Sequence, residues 1–353
     1  GKDKITKTNG QVIRGVLVLA ETLESITYSR GSKEQSVPAK YVQAIHWDPA
    51  PEAYARALFN MERGDFGTAA NLFAEAADKS DRPALQADAG FRAAEALYLD
   101  ASSEAAKAAQ AAGQLKSWLD KNPEHRRMPR AYELLGESLL LSGELDHAID
   151  AFGKLEKKVN DAGLGPVWLA RCKCGLGRAY IVKKDFLKAR QAFQTASASL
   201  SAQSESTDPE VLNLSIAARI GEGECLIAEG RNRDAQQYFD RLQSTARVKR
   251  NDALYSAALC GKGQAIFEAA APGKKDRELR DAQLCFAEVT ATDLLDGDST
   301  AKALYFLGRT ILILGKEHEG KGYSSMAEAC FEHVTRQFRH SRWAFLARKA
   351  LKK

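Results

Sequence analysis

Residues 135–155 read LGESLLLSGELDHAIDAFGKL, and residues 176–196 read LGRAYIVKKDFLKARQAFQTA. Set in register, Leu135-Gly136 meets Leu176-Gly177, Leu139 meets Tyr180, Leu145 meets Phe186, Ala148 meets Ala189 and Phe152 meets Phe193. A third copy, EGECLIAEGRNRDAQQYFDRL at 222–242, keeps Gly223, Leu226, Gly230, Ala235, Phe239 and Leu242. Apolar residues recur at i, i+3, i+4 and i+7, which is the period of a helix. The repeating unit is therefore a pair of helices, and from Tyr54 onward the text contains no strand pattern.

Extending in both directions yields seven copies. One column of small residues runs Ala57, Ala94, Gly136, Gly177, Gly223, Gly263, Gly308, and a second runs Ala69, Ala111, Ala148, Ala189, Ala235, Ala282, Ala327. A large column follows four residues later: Phe73, Leu115, Phe152, Phe193, Phe239, Phe286, Phe331. Four residues is about one helical turn, so each large residue shares a face with its alanine. The small columns let the two helices of a pair approach, and the large residue fills the space between pairs. The gap between the small columns is 12 residues in four copies and 17 or 19 in the second, sixth and seventh, where the connecting loop or the helices are longer, as in AAAPGKKDREL at 269–279.

This pattern resembles the tetratricopeptide (TPR) repeat, which carries small residues at its eighth and twentieth positions and an aromatic at its twenty-fourth. The period here is 37–46 residues against the usual 34. The resemblance implies a mainly α protein: a right-handed TPR-like α-solenoid of about seven helix pairs. The repeats are expected at about 51–80, 84–121, 128–158, 167–200, 211–246, 252–292 and 299–338, with a capping helix over 341–351.

The register also interprets CKCGLGRAYI at 172–181. Two cysteines and two glycines at alternate positions suggest a ligand pair or a phosphate loop. A phosphate loop, however, presents its glycines at a strand-to-helix turn. Here the same shape recurs as RIGEGECLI at 219–227 and LCGKGQAIF at 259–267, inside helices and at the small column. Glycine within a helix costs about 0.5–1 kcal/mol relative to alanine, so packing must require it. The six cysteines, Cys172, Cys174, Cys225, Cys260, Cys285 and Cys330, show neither zinc nor disulfide spacing and read as small apolar residues.

Residues 2–47 are different. KITKTNGQVIRGVLVLAETLESITYSR alternates apolar and polar residues, and Asn9-Gly10 between two such runs predicts a hairpin with a type I′ turn. Gly31 marks a second turn, and EQSVPAKYVQAIHW supplies a short strand, a turn led by Pro38 and a last strand. Four or five strands form a small curled sheet, too small to stand alone, over residues 1–47, and the prolines of DPAP at 48–51 lead into a helical domain over 48–353. The succession Gly10, Ile13, Gly15, Val16, then Glu21-Thr22 and Ile26–Tyr28, resembles an Sm-like or SH3-like small β-barrel. RNA-binding Sm proteins carry an Asp and an Asn after this strand pair. ETLESITY at 21–28 has no Asn, so a docking or structural barrel is the expectation.

Two stretches, 119–152 and 331–351, are similar to TPR proteins of the bacterial cell envelope, including the outer-membrane assembly lipoprotein and the Tol-Pal coordinator. Phe338 and Ser341 match their signature, while Arg339 stands where it has Pro. This implies an envelope scaffold. The chain opens on GKDKI without a Met. A removed leader would place the protein in the periplasm or envelope, and no leader would place it in the cytoplasm.

A net charge of +5 over 353 residues is no nucleic-acid signature, and no apolar run approaches the roughly 20 residues that span a bilayer. None of His46, His125, His147, His318, His333 and His340 lies in a metal-binding motif, and LSGELDHA strings a Ser, an Asp and a His along one helix without an elbow. No enzyme and no cofactor or metal is expected. The TPR resemblance implies that the inner face of each first helix lines a groove for a peptide or protein partner. Carried over copy by copy, that face comprises Phe91, Glu95, Tyr98, Arg130, Glu133, Glu137, Arg171, Cys174, Arg178, Glu224, Gln264, Lys302, Tyr305 and Arg309. The Asn pair of the TPR subclass that clamps C-terminal carboxylates is missing. Two other readings remain open: nucleic-acid binding through the barrel and the basic C-terminus (Arg336, Arg339, Arg342, Arg348, Lys349, Lys352, Lys353), and self-assembly through solenoid ends and barrel edges.

Overall fold

The computed structural model describes residues 2–101, 104–203, 206–292, 297–316, 322–339 and 341–352, so His318, His340 and Lys353 lie outside the described residues. Five strands come first: β1 (Asp3–Lys7), β2 (Val12–Glu21), β3 (Ser25–Arg30), β4 (Lys33–Pro38) and β5 (Val42–His46). They form one antiparallel sheet in the order β4-β3-β2-β1-β5. The long β2 pairs with β1 over its first half and with β3 over its second. It turns between the two at Gly15, whose φ of +68° favours glycine.

The first hairpin differs from the expected type I′ turn. Gly10 alone takes the left-handed conformation, at φ +81°, while Asn9 accepts the Gln11 N–H through Oδ1. This is the pattern of a three-residue loop, a type I turn closed by a left-handed glycine. Asparagine's side chain satisfies the turn without needing positive φ itself.

Helices follow in pairs: α1 (Glu52–Glu62) with α2 (Phe66–Lys79), α3 (Pro83–Asp100) with α4 (Ala105–Lys121), α5 (Met128–Ser142) with α6 (Leu145–Asp161), α7 (Pro166–Lys183) with α8 (Phe186–Ser199), α9 (Pro209–Ala228) with α10 (Asn232–Lys249), α11 (Asp252–Ala270) with α12 (Asp276–Thr292), and α13 (Gly297–Gly315) with α14 (Tyr323–Gln337). A last helix, α15 (Arg342–Leu351), closes the array. Local chemistry sets the ends. Prolines open α3, α5, α7 and α9, and Asp65, Asp185, Asn251 and Ser341 cap α2, α8, α11 and α15 through their side chains. Seven residues after the first small column, the tight hairpins turn through a left-handed residue: Gly64, Gly143, Lys184 and Gly230.

The chain forms two compact units, Gly1–Lys158 and Val159–Lys353. In the first, the sheet has no core of its own. Ile5, Val16, Val18, Ile26 and Trp47 share one buried cluster with Tyr54, Phe73, Leu85 and other helical residues. Three buried carboxylates pin the sheet to the helices. Asp3 accepts the Val18 and Asp48 N–H groups at 2.9 and 2.8 Å and pairs with Arg82 of the α2–α3 turn. Glu21 at the end of β2 pairs with Arg126 before α5. Asp88 on α3 accepts from Trp47 just after β5, Tyr54 on α1, Arg92 one turn on along α3, and Arg127 just before α5. Burial alone would raise the Asp88 carboxyl; Arg127 and Arg92 hold it far below the ordinary range instead. Removing one member of such a buried set costs about 3–5 kcal/mol, because it strands the others.

The two small columns and the large column are buried in every copy. The glycines are there for contact. A β-carbon on Gly136 would lie 2.5 Å from the Phe152 ring, on Gly177 2.6 Å from Phe193, and on Gly223 2.3 Å from Phe239. The following pair presses on the same ring from the other side: a β-carbon on Gly221 would meet Phe193 at 2.3 Å, and one on Gly261 would meet Phe239 at 2.5 Å. Phe193 and Phe239 are thus each held between two stretches of bare helix backbone. By contrast, Gly153 on α6 is exposed, with nothing within 4 Å of its would-be β-carbon. The same substitution should therefore have opposite signs. Gly223→Ala destabilises by about 1–3 kcal/mol through overpacking, and Gly153→Ala stabilises by about 0.5–1 kcal/mol through helix propensity, as read from urea unfolding followed by circular dichroism.

Candidate functional site

First helices of successive pairs pack side by side: α3 with α5 in the first unit, and α7, α9, α11, α13 and α15 in sequence in the second. They therefore form the inner layer on which the predicted groove residues lie. The structure divides those residues into three groups.

In the first unit they are mostly occupied with one another or with the core. Phe91 is fully buried, its ring 5.4 Å from Trp118 in an edge contact and beneath the Arg127 guanidinium, so it is a core residue and no part of a groove wall. Tyr98 packs half-buried on the same core. Arg130 pairs with Glu133 at 2.6 Å and lies 3.6 Å from Glu95, tying α3 to α5. Glu133 is buried by this pairing, and Glu137 is half-buried one turn on.

In the second unit Cys174 is 2% exposed, in a cluster with Ala170, Phe193, Val211 and Ala218. The groove-wall expectation for Cys174 is thus corrected: α9 packs on this stripe of α7 and covers it. Arg171 pairs with Glu210 at 2.8 Å and lies over the Trp168 ring. Tyr305 and Arg309 belong to an aromatic stack beside α15. Tyr305 lies 5.8 Å from Trp343, and the Arg309 guanidinium sits 4.7 Å from the Phe267 ring centre.

The remaining four, Arg178, Glu224, Gln264 and Lys302, come together around two adjoining cavities of about 430 and 510 Å³. The first is floored by Phe193, Ile216, Ile220 and Ala257 and edged by Arg178, Asp298 and Lys302; the second runs along Ile181, Ile227, Gln264 and Trp343. Arg178, Glu224 and Arg342 belong to both. Glu224 Oε1 accepts from Lys302 Nζ at 2.7 Å and from an Arg342 guanidinium N–H at 3.1 Å. Burial by itself would raise the Glu224 carboxyl, but Lys302 and Arg342 outweigh it and hold the group at about 2. Beside it, burial and the Glu224 charge push the Cys225 thiol up to about 12, which leaves it a poor nucleophile.

Arg342, Asn213 and Asp298, with Ser299, Asn232 and Glu268, are polar site residues that the repeat pattern missed. Arg342 lies outside the seven copies, on the capping helix, and Asn213 and Asp298 stand near helix starts, away from the carried-over positions. The run of basic residues around 336–352 was the one available signal for Arg342. Among the described residues, no group of three His, Cys, Asp or Glu side chains could hold a metal ion, and no helix is long and apolar enough to cross a membrane.

The fold is shared with solved structures. The chain is similar to a tetratricopeptide repeat protein from Parabacteroides merdae, at 14% identity over 85% of this chain and 96% of that one, with a TM-score of 0.53. It is similar to the apo form of RapI, at 15% identity over 80% and 98% of the two chains, TM-score 0.51. It is also similar to a Rap protein complexed with Competence and Sporulation Factor, at 14% identity over 81% and 75%, TM-score 0.50. No protein-family model and no curated protein matches the chain. The chain thus has the TPR-type helical-repeat fold behind a small antiparallel sheet.

The Glu224 bridge has a pH signature. Its carboxyl sits below the ordinary value of about 4.5, so its stabilising contribution is complete above that value and disappears as pH falls toward 2. Glu224→Gln should cost about 3–5 kcal/mol at pH 7 by stranding buried Lys302. The melting-temperature gap to the unsubstituted protein should close between about pH 4.5 and 2, as measured by thermal melts across that range.

Proposed function

We propose that this protein is a non-catalytic interaction scaffold that holds a peptide or an extended segment of a partner protein in the groove of its second unit. The observation that carries this reading is the convergence of Arg178, Glu224, Gln264, Lys302 and Arg342, from five helices, around two adjoining cavities, the first with an apolar floor. A cleft with a mostly apolar lining and a few convergent polar groups is the usual form of a recognition site. The cysteines of the second unit are buried or raised in pKa by burial, which favours packing over chemistry at those positions. A Rap protein of the same fold was solved in complex with Competence and Sporulation Factor, which supports a partner-holding use of this architecture. The resemblance around Phe338 and Ser341 favours a bacterial cell-envelope assembly as its setting.

The sheet suits a supporting role in this reading. Its buried carboxylates Asp3 and Glu21 join it to Arg82 before α3 and Arg126 before α5, so it serves as a base for the helices of the first unit. The test is affinity capture from the native lysate with the unsubstituted protein and with Arg178→Glu. A partner retained by the first and reduced at least about tenfold with the second, at unchanged circular dichroism, is the expected result. No specific partner, or equal capture by both, contradicts the reading.

A further inference from the structure

The two cavities of the second unit share Arg178, Glu224 and Arg342, and the last two are joined in a bridge that both compartments abut as a divider. Arg342 of α15 reaches Glu224 of α9 across 118 residues of sequence, and both side chains line both compartments. Glu224 therefore sits at the middle of the groove with its charge already answered from within the chain.

Its two cations are not equivalent. Lys302 lies at 2.7 Å with a side chain 5% exposed, while Arg342 lies at 3.1 Å and is 45% exposed. Parting Lys302 from the carboxylate would strand a buried charge, which is strongly unfavourable. Arg342 can leave and remain solvated, and its half-exposed side chain adds less to the pairing than buried Lys302 does. The Glu224–Lys302 pair is thus the fixed half of the bridge, and Arg342 is the half that can be exchanged. Its anchor stays in place meanwhile: the neighbouring Trp343 is buried against α13, with its indole N–H donating to Asp298 at 3.1 Å.

We infer that Glu224 is an internal stand-in for a partner's carboxylate. An extended peptide bearing a glutamate or aspartate beside an aliphatic residue takes Arg342 from Glu224, opens the divider and runs through both compartments. The charges fit this occupant. In the first compartment Arg178, Lys302 and Arg342 face two carboxylates, Glu224 and Asp298, and Asp298 already accepts from Trp343; the second compartment adds one carboxylate, Glu268, which lies 3.9 Å from Arg309. The aliphatic side chain is met by Ile216, Ile220 and Ala257 on the same wall. A guanidinium suits such a carboxylate better than an ammonium, because it can offer two parallel N–H groups. The inference rests on the groove reading above, and it adds both the class of partner and the means by which the empty groove is kept shut.

The test pans an unbiased phage-displayed library of seven-residue peptides on the full chain. Enriched peptides are then measured by fluorescence anisotropy, each alongside a version with its acids changed to the matching amides. Acidic-aliphatic sequences should be enriched, and the amide versions should bind about tenfold more weakly. In Arg342→Ala that difference should shrink to less than about twofold, and Arg342→Lys should restore part of it. Glu224→Gln should bind the acidic peptides several-fold more tightly, since Arg342 is no longer claimed. Enrichment of peptides without acids, or an acid-to-amide difference unchanged in Arg342→Ala, overturns the exchange while groove binding stands. A library from which nothing is enriched overturns both.

Discussion

From the third repeat on, each column phenylalanine lies against helix backbone at a point where a β-carbon has no room, and the rest of the array depends on this contact. Phe193 is held between Gly177 of its own pair and Gly221 of the next, and Phe239 between Gly223 and Gly261. The ring sets how closely the two helices of a pair approach and how the following pair is seated. Glycine is a poor helix former, by about 1 kcal/mol relative to alanine, so its recurrence at one register is a packing requirement written in the sequence. The same contact places the first helices side by side as an inner layer, and that layer carries Arg178, Glu224, Gln264 and Lys302.

A second constraint operates in the first unit, where polar groups do what apolar packing cannot do alone. A sheet of about 45 residues buries too little surface to be stable by itself. Asp3, Glu21 and Asp88 tie it to the helices through charge-assisted hydrogen bonds, each carboxylate buried and each answered by at least one arginine. Such bonds are directional, so they set the orientation of the sheet on the helices, while the cluster of Ile5, Val16, Ile26 and Tyr54 supplies the burial.

Periodicity is a strong signal, and what it governs was legible. The helix pairs, the buried columns and the antiparallel strands around Gly10 and Gly31 all follow from spacing and turn chemistry. The site was legible in part, because only some carried-over positions face the groove. Phe91 and Cys174 occupy the right register but are covered, Phe91 by Trp118 of α4 and Arg127, and Cys174 by α9. Which of two adjacent stripes is covered depends on how neighbouring helices cross, and spacing along one helix does not encode that. Arg342 was out of reach for another reason: its contact with Glu224 is closed by the fold over 118 residues. Asp88 left a weak trace, an acid in the alanine-rich, otherwise apolar text PALQADAGF at 83–91. A buried acid of that kind implies a cation from elsewhere, without saying which.

The groove of the second unit thus follows from a chain of causes that begins with bare backbone under an aromatic ring and ends with Glu224 held between Lys302 and Arg342. The first link is the most directly testable. A double-mutant cycle of Gly223→Ala and Phe239→Leu, with stabilities from urea unfolding, isolates the contact between backbone and ring. If the ring is what excludes a β-carbon, Gly223→Ala should be less damaging in the Phe239→Leu background, by a coupling of about 1 kcal/mol or more. Strictly additive effects would contradict the account, because the glycine would then owe its place to something other than the phenylalanine.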